Sequence, residues 1–119
     1  MELVLSSVPN KSGGDISVVK IEGATSLDRY VAPSLKEGLI HFAVGCSRIV
    51  LILDDIDHID VAVVCVIVEM LEFASKLGGD IKLVAPTFNV SMVLELMNLH
   101  RVFDIYNTQE DAIESFQNE

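Results

Sequence analysis

The apolar positions alternate in period from one end of the chain to the other. Leu3 and Leu5, two residues apart, predict a short first strand, and Pro9 to Gly14 reads as a turn of Pro, Asn, Lys, Ser and two glycines. Ile16 to Ile21 predicts a second strand, with Ile16, Val18 and Lys20 on one face and Val19 and Ile21 on the other. Val31, Leu35, Leu39 and Phe42 then recur at helical spacing, with Asp28 as the expected cap, Pro33 near the start and Gly45 near the end. Arg48 to Leu53 contains the continuous apolar run Ile49 to Leu53, the pattern of a strand covered on both faces.

Asp60 to Leu77 is ambiguous at its start. Val61 to Val68 is strand-like by propensity, whereas Glu69 to Leu77 is helical in period. One helix is expected from about Asp60 to Leu77, with Asp60 as N-cap and Gly78-Gly79 as the stop. Ile81 to Ala85 predicts another strand, broken by Pro86. A helix beginning at Thr87 or Asn89 carries Val90, Val93, Leu94 and Met97, and Val102 to Tyr106 predicts a short extended piece. Thr108 and Asp111 start a last helix with Ala112, Ile113 and Phe116 on its apolar face. Strands alternating with helices predict parallel βαβ units in a single α/β domain over residues 1–119.

Composition narrows the function. The chain has 119 residues, 18 acidic and 8 basic, for a net charge of −10. That sign opposes nucleic acid and anionic membranes and favours a protein partner. No apolar stretch approaches the ~20 residues of a membrane span, and the first residues lack a basic region before an apolar one. A cytoplasmic protein without membrane insertion is expected. Cys46 and Cys65 form no CxxC pair and read as buried thiols.

The order and spacing of four groups of residues resemble the STAS family, the fold of bacterial anti-sigma factor antagonists. They are Gly23 with Leu27-Asp28 and Ala32-Pro33, the run Ile49 to Asp60, then Ala74 with Gly78-Gly79 and Ile81-Lys82-Leu83, and Val90 through Ala112. The resemblance implies a four- to five-stranded mixed sheet with helices mainly on one face. It also implies a non-enzymatic regulator. Such an antagonist binds a serine-kinase-type anti-sigma factor and so releases a sigma factor. The family's phosphoacceptor is a serine or threonine two residues after its signature Asp. Asp60 is kept here, but the three positions after it are Val61, Ala62 and Val63, so Ala62 stands where the hydroxyl would be. The family's earlier Asp at the strand end is replaced by Ile52.

The resemblance therefore places the partner-binding face at Asp57, His58, Asp60, Val61, Ala62 and Val63. An adaptor or dimerising scaffold subunit of a signalling or transport complex is the alternative. Asp54, Asp55, Asp57, His58 and Asp60 crowd one loop, but they lack the glycine and distal glutamate of a calcium loop. They fit a solvated acidic loop better than a metal site. His41, His58 and His100 have no i, i+4 spacing, and no phosphate-binding loop or nucleophile elbow is present. Ser26, Thr87 and Ser91 fit caps and turns better than alternative phosphosites. Neither cofactor nor metal is expected.

Overall fold

The computed structural model describes residues 1–85 and 87–119, so the strand break expected at Pro86 lies outside the described residues. Five strands form one mixed sheet: β1 (Glu2–Pro9), β2 (Asp15–Glu22), β4 (Arg48–Ile52), β6 (Asp80–Val84) and β7 (Ile105–Tyr106), in spatial order β1-β2-β4-β6-β7. The β1–β2 hairpin is antiparallel and the remaining pairs are parallel. β3 (Ser26–Leu27) and β5 (His58–Ile59) pair separately as two short parallel strands.

The alternation predicted for β2 places its side chains on two cores. Val19 and Ile21 join Ile49, Leu51, Ile81 and Leu83 beneath α1 (Ala32–Gly45), α2 (Val61–Lys76) and α3 (Phe88–Leu96). Ile16 and Val18 join Val50, Ile52 and Val84 beneath α4 (Gln109–Gln117), which supplies Ala112 and Phe116. Three helices thus cover one face and a single helix covers the other. The central strands β4 and β6 are buried on both sides, which accounts for their unbroken apolar runs. Lys82 is the exception. Its side chain lies under α4, where Nζ donates to Ser115 Oγ at 2.6 Å and Glu119 Oε1 at 2.9 Å and sits 4.2 Å from the Phe116 ring centre.

Helix α1 buries Ala32, Leu35, Leu39 and Ala43 at helical spacing. Its start differs from expectation. The Asp28 carboxylate accepts from the Tyr30 N–H at 2.9 Å in a local turn, and Val31 occupies the cap position without a side-chain bond. With Pro33 within the first two helical positions, an N–H that a cap would otherwise satisfy is absent. Asp60 does cap α2, accepting from the Ala62 N–H at 3.4 Å. At the other end Gly78 adopts φ +84° and stops the helix. The neighbouring Gly79 has a different role, since a Cβ there would stand 2.0 Å from the Ser47 carbonyl oxygen.

Two further expectations are corrected. The extended piece at Val102 to Tyr106 shortens to β7, preceded by one 3₁₀ turn at Leu99–Arg101 that buries Leu99. The thiols are not both buried. Cys65 points to solvent from α2, and Cys46 is half-buried, with its thiol donating to the Asp15 carbonyl at 2.9 Å.

Candidate functional site

The segment from Leu53 to Asp60 leaves the sheet at the carboxyl end of β4 and enters α2. Three anchors fix its shape. Ile56 and Ile59 are buried in the main core. The Asp57 N–H donates to the Thr25 carbonyl at 2.7 Å, and the Asp60 N–H donates to the Leu27 carbonyl at 2.8 Å. The Thr87 hydroxyl donates to the Ile56 carbonyl at 2.7 Å, tying the start of α3 to the same loop. Thr87 occupies the cap position of α3 yet makes no cap bond, because its hydroxyl serves this tie.

With Ile56 and Ile59 turned inward, Asp54, Asp55, Asp57 and His58 face solvent. Gly23, Ala24, Thr25, Asp54, Asp55 and Asp57 border an open depression. Among the described residues, no three His, Cys, Asp or Glu side chains converge as metal ligands. Asp60 is half-buried and acts on the α2 backbone. Carboxylates here stand beside the positive end of the α2 dipole.

The three residues after Asp60 separate by helical geometry. Val61 is 57% exposed, Ala62 is half-buried, and Val63 is fully buried among the core residues. Val63 is therefore removed from the predicted binding face, because its side chain points down the stripe that continues through Ile67, Met70 and Ala74. Val64 also packs inward. The outward residues of the first turns of α2 are Val61, Ala62 and Cys65.

A second apolar surface was missed in the sequence. Phe88 (75% exposed), Met92 and Leu96 (79% exposed) follow one another at i, i+4 and i+8 along the solvent face of α3. Val90 and Leu94 occupy the buried face of the same helix. The spacing was a readable signal, but the inward stripe alone sufficed to predict the helix. α3 packs against β5, which runs directly into Asp60. The Thr87 tie and the packing of α3 on β5 bring the start of α3 beside the acidic loop that leads into α2. Contiguous apolar exposure of this kind marks interaction surfaces more often than chance patches.

An α/β sheet in this strand order, with a carboxylate-capped helix following a pegged loop, defines the class. The chain belongs to the STAS domain family, whose model matches residues 8–112. A protein of Thermotoga neapolitana that carries the name anti-sigma factor antagonist homolog is 40% identical over 73 residues. That match spans 61% of this chain and 65% of the relative, so it covers less than two thirds of the relative's length. The crystal structure of a Thermotoga maritima protein, also named an anti-sigma factor antagonist, is 30% identical with a TM-score of 0.77. It matches over 95% of this chain and 94% of that one. The Bacillus cell fate determinant SpoIIAA, solved in its phosphorylated form, shares the fold at a TM-score of 0.67 and 16% identity. That match covers 96% and 98% of the two chains.

Proposed function

We propose that this chain is a regulatory binding protein of the anti-sigma factor antagonist type. Its docking face comprises Asp57, His58, Asp60, Val61 and Ala62, extended by Phe88, Met92 and Leu96. The partner is a serine-kinase-type anti-sigma factor, and binding releases the sigma factor by competition. The family membership and the names of the relatives support the class of role. One observation carries the assignment of the face: Val61 and Ala62 stand at the surface of a helix start whose cap, Asp60, is intact.

The chemistry of Ala62 gives this antagonist a particular character. A phosphorylated hydroxyl at that position would add about −1.5 to −2 charge at the apolar centre of the face, where the desolvation of that charge opposes docking. The Ala62 methyl accepts no phosphate. The docking face stays apolar at its centre and acidic at its rim, the pattern that favours desolvation in the middle and electrostatic steering at the edge. Binding through this face is then constitutive. No catalytic step is required, since occupancy alone displaces the sigma factor.

Calorimetric titration with a serine-kinase-type anti-sigma factor from the same cells tests the face. Ala62→Asp places a charge at the centre of the face and should weaken binding by at least tenfold with no loss of fold. Unchanged affinity would show that the partner binds elsewhere.

A further inference from the structure

We propose that two copies of this chain join edge to edge through β1, forming one continuous ten-stranded sheet about a two-fold axis. β1 is the outermost strand of the sheet and pairs only with β2 among the described residues. Natural edge strands are protected by shortness, bulges, lysines or internal prolines. β1 has none of these. Its eight residues run in unbroken register from Glu2↔Glu22 to Pro9↔Asp15, its one charge is at the first position and its one proline at the last. The opposite edge, β7, is only two residues long.

The outward-facing backbone groups are self-complementary. Residues of an antiparallel strand alternate between bonding the neighbour and facing away from it. The Asn10 N–H donates inward to the Gly14 carbonyl at 3.0 Å, which sets the phase. Pro9, without an N–H, then falls in the outward set, as proline at an edge should. Ser7, Leu5 and Leu3 follow in the same set. An axis through Leu5 pairs Leu5 with its own copy and Leu3 with Ser7 of the copy, so every outward N–H and C=O of these three residues finds a partner. The same register sets Glu2 against Val8, so the two Glu2 carboxylates do not meet.

The side chains agree with a second copy as occupant. Val4 and Leu5, 41% and 48% exposed on opposite faces of the sheet, would both be covered. Leu3 of the copy would lie beside Ser7, at the mouth of a shallow groove of about 260 Å³ lined by Leu5, Ser7, His41 and Phe42. The interface carries no charged side chain at its centre, so no like charges of the two copies oppose each other there. None of the docking-face residues lies on β1 or lines this groove. The dimer would therefore present two docking faces and gain avidity for a multivalent partner.

Light scattering after size exclusion, with amide exchange followed by NMR, tests the pairing on the full chain. The expected result is a dimer mass at high concentration and slow exchange of the Leu3, Leu5 and Ser7 amides that speeds up on dilution. Leu5→Lys opposes two charges across the axis, and Ser7→Pro removes an outward N–H without touching the β1–β2 ladder. Each should halve the mass while the circular dichroism spectrum is unchanged. If Leu5→Lys disturbs folding, Ser7→Pro decides. A wild-type monomer at every concentration would overturn the proposal. So would a dimer that survives Ser7→Pro, or one that is broken only by Phe88→Lys on α3.

Discussion

Val61 and Val63 are the same residue type two positions apart on one helix, and the structure places them in opposite environments. Val61 is 57% exposed, whereas Val63 has no exposed surface. Truncating each to alanine separates a core position from the proposed docking position. At Val63 the change removes two buried methyl groups at about 0.8 kcal/mol each, and the void they leave adds roughly 1 kcal/mol. Alanine's better helix propensity returns about 0.5 kcal/mol, for a net loss near 2 kcal/mol. For a chain of this size that corresponds to a fall in Tm of about 8 °C. At Val61 the packing loss is small and the propensity gain similar, so stability should move by less than about 0.5 kcal/mol. Binding should show the reverse order. Val61→Ala should weaken docking about fivefold, close to 1 kcal/mol, whereas Val63→Ala should leave affinity unchanged at temperatures where it is folded. Thermal melts and titration calorimetry on both variants provide the test. Equal stability losses, or an affinity loss confined to Val63→Ala, would refute the orientation of the first turn of α2.

Three further outcomes follow from the packing. Gly79→Ala forces a Cβ to within 2.0 Å of the Ser47 carbonyl and should cost more than about 3 kcal/mol, whereas Gly78→Ala meets nothing within 4 Å and should cost only the ~1–2 kcal/mol of its left-handed backbone. Urea unfolding of the two variants measures the difference. Lys82→Met keeps the volume under α4 and removes a buried charge, so it should be neutral or stabilising in the same assay. Ser115→Ala leaves the Lys82 ammonium with one fewer acceptor and should cost about 1–3 kcal/mol. At Asp80, burial first and the nearby Asp104 and Glu119 carboxylates next hold the carboxyl above its ordinary range, outweighing the Ile81 N–H bond and Lys82. A raised folded-state value means stability is fully present below the unfolded carboxylate pKa and is lost as pH rises through the folded one. Asp80→Asn should therefore raise Tm at neutral pH, with the gain vanishing in melts at acidic pH.

Much of this fold was legible because the strong periodicities coincide with burial. The two-faced alternation of Ile16 to Ile21 maps onto two separate cores. The strand-like valines of α2 are helical because Asp60 caps the turn and Val63, Val64 and Ile67 continue one stripe toward Met70 and Ala74. The misreadings have local causes. Asp28 has cap chemistry, but its carboxylate is occupied by the Tyr30 N–H four residues before the helix begins. β3 and β5 are two residues each and are created by tertiary pairing rather than by any local pattern. Cys65 lies in an apolar run yet falls on the outward face, which only the rotation of α2 decides. The candidate site was legible as a loop and a helix start, because both rest on local sequence. Its extension over Phe88, Met92 and Leu96 depends on how α3 docks beside β5, which no local pattern encodes.

The proposed role is that this chain binds a serine-kinase-type anti-sigma factor and cannot be switched off at Ala62. The most direct measurement is the lifetime of its complex with a serine-kinase-type anti-sigma factor, with and without magnesium and ATP, for the natural chain and for Ala62→Ser. The account predicts that the natural chain stays bound and takes up no phosphate, while Ala62→Ser is phosphorylated and released. Phosphate transfer to the natural chain with ATP-driven release, or no complex at all, would contradict it.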